Sequence, residues 1–240
     1  MGGITAAAVD AELLMNRNEI NIALISEMRR AAVHGFQKFE SGQAAILVHY
    51  GIEAKHLVSL GETFAVQIGD LDIMSTYWGP NNPTERSLSD LEAVIRVKPK
   101  GKWLIGGDLN VGLEPVVDIK ALSWRKQQRS EPAQSVLDSY GLTLWNDTTP
   151  TCHHMGYQSI NDYTLTQGVY VQQWGVVHTP TMADHQYICY QVNLGEAVTR
   201  KLMQHTTDYN EFKKKILRNV ELLPYDSAEA TMSNASRITN

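Results

Sequence analysis

Residues 103–112 read WLIGGDLNVG, and the reading of this stretch decides the fold. Trp103, Leu104 and Ile105 form an apolar run of the kind that builds a buried strand. Two glycines follow, and then Asp108 and Asn110 occupy alternate positions. Alternate residues of a strand share a face, so a carboxylate and an amide would emerge together at the end of a buried element. The bland alternative is a simple exit into a turn, since Gly, Asp and Asn all favour turns.

Other apolar runs end in the same way. Glu27 follows NIALIS (21–26), Tyr77 follows LDIMST (71–76), Asp162 lies within SINDYTLT (159–166), and Asp184-His185 stands at the start of HQYICYQV (185–192). Neighbouring strands running into one rim would collect these groups. Crowded carboxylates repel one another unless a cation neutralises them, and Mg²⁺ prefers oxygen ligands. An imidazole beside a carboxylate is oriented and made more basic, as acid–base catalysis requires. A metal for the phosphate, a base for water and donors for the oxygens are the parts of phosphoryl chemistry.

The rest of the chain supplies the frame. TAAAVDAELLMNR (5–17) predicts a helix, capped by Thr5, and TERSLSDLEAVIRV (84–97) places Leu88, Leu91, Val94 and Ile95 at helical spacing. Strands are predicted at 21–26, 44–50, 64–68, 71–77, 102–105, 142–145, 160–166, 171–178 and 186–192, with Gly69-Asp70 as a hairpin turn. Pro132 suits the first turn of a helix carrying Val136, Leu137 and Tyr140, closed by Gly141. Many short strands with few helices predict an α/β (α+β) protein in which a two-sheet β-sandwich is flanked by helices. After about Asn193 the character changes to a polar tail with one amphipathic helix, along Tyr209, Phe212, Ile216 and Val220.

The 240 residues are 43% hydrophobic, with a formal net charge of −5. That charge argues against strong generic affinity for nucleic acid, so such a role must rest on a local site. No apolar stretch reaches the roughly 20 residues that span a bilayer, and MGGITAAAVDAELL has no secretory signal pattern, so no membrane partner is expected. Two cysteines, Cys152 and Cys189, suit a reducing intracellular compartment.

The order Glu27, Tyr77, Gly107-Asp108-Leu109-Asn110, Asn161-Asp162-Tyr163, Asp184-His185 resembles the endonuclease/exonuclease/phosphatase superfamily. IALISE (22–27), WLIGGDLNVG, LTLWNDTTPT (142–151), SINDYTLT and QQWGVVHTPTMADHQYI (172–188) resemble more narrowly the apurinic-type endonuclease domain of non-LTR retrotransposons. The resemblance implies a deoxyribonuclease I-like fold over residues 1–194, without the family's first, Asn-bearing strand, and a helical linker over 195–240 leading to a reverse transcriptase. It implies Mg²⁺-dependent (or Mn²⁺-dependent) nicking of double-stranded DNA in the nucleus, leaving a 3′-hydroxyl for target-primed reverse transcription.

By the same resemblance Glu27 is a metal ligand, with Asp184 near the metal. Tyr77 and Asn110 bind phosphate oxygens, Asp108 acts on the attacking water or leaving group, and His185 meets the scissile phosphate, oriented by Asp162. The glycines are expected to let the chain turn tightly at the rim. A catalytically impaired remnant and a sibling phosphodiesterase of the same superfamily are the alternatives. Arg125, Lys126 and Arg129, between two strand ends of the rim, are expected to touch DNA phosphates. The basic run Lys213-Lys214-Lys215 with Arg218 reads more simply as a solvated helix face, and Cys152-His153-His154 lacks the second ligand pair of a zinc site.

Overall fold

The computed structural model describes residues 11–27, 33–154, 156–177 and 183–193. The start of the first predicted helix (5–10) and the segment 195–240 with its basic run lie outside them. Contacts group the chain into two units, Met1–Lys201 and Leu202–Asn240, and every described residue belongs to the first.

Residues 11–17 are helical (α1). They precede six strands: β1 (Ile22–Ser26), β2 (Phe36–Ser41), β3 (Ala44–His49), β4 (Lys55–Leu60), β5 (Thr63–Ile68) and β6 (Leu71–Tyr77). Helix α2 (Thr84–Val97), strand β7 (Lys102–Asp108) and helix α3 (Trp124–Ser139) follow. The remaining strands are β8 (Thr143–Leu144), β9 (Cys152–His154), β10 (Tyr157–Ser159), β11 (Asp162–Gln167), β12 (Val171–Val177) and β13 (Tyr187–Val192).

One sheet has the order β4-β5-β6-β7-β11-β8, in which only β6 and β7 run parallel. Gly69-Asp70 joins β5 to β6 with Ile68 opposite Leu71, so the tight hairpin read from the sequence is present. The parallel β6–β7 pair needs a crossover, and α2 supplies it. The second layer is the sheet β1-β3-β2. The β12–β13 hairpin adds Val171, Trp174, Tyr190 and Val192 to the same inter-sheet core.

Period-two alternation sorts the large sheet's side chains. Leu71 and Ile73 of β6 and Leu104 of β7 face the second sheet, where they meet Ile46 and Val48. Trp103, Ile105 and Met74 point the other way, onto Leu91, Val94 and Ile95 of α2 and Ala133 and Leu137 of α3. Met15 of α1 packs with Val33, Phe36 and Leu47 on the far side of the small sheet. The layers are therefore helix, sheet, sheet, helix, a two-sheet α/β sandwich as the sequence predicts. Each fully buried Leu, Ile or Met is worth about 1.5–3 kcal/mol of transfer free energy, so the two faces of β7 anchor both cores. No helix among the described residues is long and apolar enough to cross a membrane.

Two local expectations change. Helix α3 starts at Trp124, after Ser123 in extended geometry, so Pro132 lies inside it and not in its first turn. A proline there removes the N–H that the Gln128 carbonyl would accept, and Gln128 is exposed, where water satisfies that carbonyl. The glycines of WLIGGD do not turn the chain. Both remain within β7, which continues to Asp108. A β-carbon on Gly106 would lie 2.6 Å from Leu24 Cδ1 of the opposing sheet. One on Gly107 would lie 1.8 Å from the Thr76 carbonyl oxygen, at a φ of +152° that favours glycine. Close packing, on one side of a layer and on one neighbouring strand, is what excludes side chains from the two positions before Asp108.

Candidate active site

The rim is built by register. Tyr77 stands beside Asp108 across the parallel β6–β7 pair, and Asp162 stands opposite Asp108 across the antiparallel β7–β11 pair. Residues in register point to the same face, so the phenol and the two carboxylates form one row at the end of the inter-sheet layer. The other sheet closes the row from above. The Ser26 hydroxyl at the end of β1 accepts the Asp108 N–H at 3.1 Å, and the Tyr77 hydroxyl donates to the Glu27 carboxylate. Glu27 (φ 59°) and Asn110 (φ 49°) both hold left-handed backbone. Such strain in residues other than glycine clusters at functional sites.

Asn110 is tied down twice. Its N–H donates to Asp108 Oδ1 at 3.1 Å, and its side-chain amide donates to the Trp78 carbonyl at 3.2 Å. Asp162 is held by residues to which sequence reasoning gave no role. The Asn146 side chain donates to the Asp162 carbonyl at 2.9 Å and accepts the Thr164 N–H at 2.8 Å. The buried Thr151 hydroxyl accepts the N–H groups of Asn161 and Asp162, each at 3.1 Å. The stretch LTLWNDTTPT therefore serves as the scaffold of Asp162, and its Asn146 and the Thr151 that follows Pro150 were the signal available in the sequence.

His185 enters from a different element. It bridges Cys152 of β9 in extended geometry, fixed by Gln186 N–H donating to the Thr151 carbonyl at 2.7 Å and His153 N–H to the Asp184 carbonyl at 2.8 Å. Adjacent residues in an extended segment face opposite ways. His185 Nδ1 lies 2.7 Å from Asp162 Oδ2, and its Nε2 lies 4.0 Å from Asp108 Oδ2. Asp184 turns outward and pairs with exposed His154 at 2.7 Å. The rim thus brings together Glu27, Tyr77, Asp108, Asn110, Asp162 and His185, with Asp184 one residue away on the opposite face.

Arg125, Lys126 and Arg129 lie on α3. The Arg129 guanidinium donates to the carbonyls of Gly79, Pro80 and Asn82, at 3.3, 3.1 and 2.9 Å. It braces the loop after Trp78, while Arg125 and Lys126 are exposed.

The electrostatics distinguish the two central groups. Burial, reinforced by the charge of Asp162 and opposed by His185, pushes the Asp108 carboxyl up to about 7. Burial would lower the His185 pKa, but the hydrogen bond and charge of Asp162, with Asp108 and Glu27 behind, lift it to about 9. Tyr77 is pushed well above its ordinary value by burial and by Glu27, so it remains a proton donor. At neutral pH the site holds a His185 imidazolium beside an Asp108 carboxyl group that is half ionised.

Among the described residues no three His, Cys, Asp or Glu side chains close into a metal cage. Mg²⁺ does not require one: it is commonly held by one or two carboxylates, waters and substrate phosphate. Exposed Glu27 at the mouth, joined through the Tyr77 hydroxyl to the row that carries Asp108 and Asp162, offers a hard oxygen donor. The residues present fit a hard divalent cation.

Residues 71–189 match the sequence profile of the family described as endonuclease-reverse transcriptase. A comparison with curated proteins yields no match. Solved structures with the same fold include the endonuclease domain of TRAS1, a telomere-specific non-LTR retrotransposon, at 22% identity and a TM-score of 0.68, covering 79% of this chain and 93% of that one. An AP endonuclease from Archaeoglobus fulgidus aligns at 14% identity and a TM-score of 0.60, covering 79% and 95%. The Xenopus laevis APE2 catalytic domain aligns at 13% identity and 0.53, covering 79% and 90%. The described residues share the fold of these endonucleases.

Proposed function

We propose that this domain cuts one strand of double-stranded DNA, dependent on a divalent cation, and leaves a 3′-hydroxyl. The observation that carries the reading is the line Asp162–His185–Asp108, with Tyr77 and Asn110 beside it. Asp108, titrating near 7, accepts a proton from water as the water oxygen attacks phosphorus. The phosphorus–O3′ bond breaks, and the leaving oxygen takes a proton from solvent water to become the 3′-hydroxyl. His185, held cationic by Asp162, donates from Nε2 to a phosphate oxygen and stabilises the charge that develops there. The second N–H of the Asn110 amide offers a further donor, and the Tyr77 hydroxyl adds another when it turns from Glu27 to the phosphate. Mg²⁺ or Mn²⁺, held at Glu27 when bound, supplies Lewis-acid polarisation of the phosphate.

The likeness to a retrotransposon endonuclease and the matched family's description support a place in a polyprotein that carries a reverse transcriptase, acting on chromosomal DNA in the nucleus. Relaxation of supercoiled plasmid, with Mg²⁺ and with EDTA, tests the activity, and polymerase extension of the nick tests for the 3′-hydroxyl. Nicking is expected with Mg²⁺ and lost in His185→Ala. Equal nicking in EDTA, or by His185→Ala, refutes the reading.

A further inference from the structure

The loop that leaves the rim has a second face. Trp78 receives the Asn110 amide on its carbonyl and gives its N–H to the Asp108 carbonyl at 2.8 Å. The chain then runs through Gly79–Asn82, which Arg129 braces from α3. Between this loop and α3 lies a groove of about 300 Å³, lined by Asn82, Glu85, Trp124, Arg125, Gln128 and Arg129 among others. That volume is at the lower end for small-ligand sites and admits a unit of nucleotide size.

Two features of the groove are unexplained by folding. Trp124 is 74% exposed, the second most exposed of the large hydrophobic residues described, and packs into neither core. Arg125 crowds Arg129 closely enough that, after burial, its charge is the next largest influence lowering the Arg129 pKa. Arg129 is committed to carbonyls, so Arg125 is the cation left to meet an anion. Trp124 and Arg125 both line the groove, with Gln128 and Arg129 one helical turn further along it.

We propose that this groove holds one unpaired nucleotide of the DNA strand beside the cut, with its base on the Trp124 indole and its phosphate on Arg125. The inference rests on the endonuclease reading above. An unpaired base is required because the faces of a paired base are covered by its neighbours in the stack. Stacking is indifferent to base identity, since every base has a π-face, so the groove selects for local strand opening rather than sequence. A platform joined to Asn110 through Trp78 would favour sites where the duplex is already gapped or frayed.

Asp108→Asn protein in Mg²⁺, which lacks the proposed base, allows binding to be measured without cutting. Two probes are compared by fluorescence anisotropy: a continuous duplex, and one of equal length with a three-nucleotide gap. The gapped duplex is expected to bind about tenfold tighter, the scale of one base–aromatic stack. Adding Trp124→Ala abolishes the difference and Trp124→Phe keeps most of it. Acrylamide quenching gives an independent reading, because Trp78 and Trp103 are fully buried, Trp145 and Trp174 are half-buried, and Trp124 is the most exposed of the five. The gapped duplex should shield the Trp124 emission, and the Trp124→Phe protein should show no such shielding. A preference that survives Trp124→Ala, or binding without shielding, overturns the groove while leaving the DNA reading intact. Failure to bind either probe overturns the DNA reading and the groove with it.

Discussion

Asp108→Asn should stabilise the protein while abolishing nicking. The Asp108 carboxyl titrates at about 7 in the fold against an ordinary value of 3.8. Between those values the folded state keeps a proton that the unfolded chain releases, so stability falls as pH rises through that window. At about 1.4 kcal/mol per pH unit, the ionised carboxylate costs the fold about 4 kcal/mol by pH 8. The amide removes that cost and can still accept the Asn110 N–H. Relaxation and water penetration around the carboxylate reduce the net gain to about 2 kcal/mol. For a domain of this size that is about 4–8 °C in Tm. Thermal melts in EDTA at pH 4, 6 and 8 should show the two proteins close together at pH 4 and the variant higher at pH 8. A variant that melts at or below the parent at pH 8 would show that the carboxylate is not held under strain and that its use as a base is wrongly argued.

Asp162→Asn removes the charge that raises His185, so burial prevails and the imidazole loses its proton at lower pH; nicking near pH 7.5 should fall on the order of 10²–10⁴-fold, with its pH profile moved to lower values. An unshifted profile removes Asp162 from this role. His185 itself contributes stability fully present below its unfolded value of 6.5 and lost as pH rises through about 9, so the parent should soften over that range. Mg²⁺ should raise the parent's melting temperature in a concentration-dependent way and leave Glu27→Gln unmoved; an equal rise in both would place the ion elsewhere. Gly107→Ala, whose β-carbon meets the Thr76 carbonyl at 1.8 Å, should cost at least about 3 kcal/mol or prevent folding, whereas Gly175→Ala, with nothing within 4 Å, should stay within about 1 kcal/mol by urea unfolding.

Much of this site was legible because its residues sit where hydrophobic runs stop. Asp108, Tyr77 and Asp162 each close or open a buried strand, and the runs Trp103–Ile105 and Ile73–Met74 announce those strands by composition alone. What escaped were contacts between distant polar residues. His154 and Asp184 are thirty positions apart, and only the β9 bridge brings them together. Arg129 reaches the Gly79–Asn82 loop across about fifty residues, and nothing in its helix distinguishes a brace from a phosphate contact. Strands β2 and β4 carry too much Lys, Gln, His and Ser to read as apolar runs, being half-exposed. β9 was hidden under donor residues, buried Cys152 followed by exposed His153 and His154, with no alternation to mark a strand.

The absent β-carbon of Gly106 has a consequence for precision. Leu24 fills that vacancy from the opposing sheet, like a dowel seated in a socket. Three residues beyond Leu24 comes Glu27, and two beyond Gly106 comes Asp108. The two halves of the rim belong to separate sheets, and sheets joined by apolar packing alone can slide. The dowel fixes their offset before either strand reaches solvent, and the Ser26–Asp108 hydrogen bond locks it one step further out. The tolerance of the reaction is thus machined into the interior: shaving Leu24 to alanine would loosen the spacing between metal end and base end without touching a single polar group.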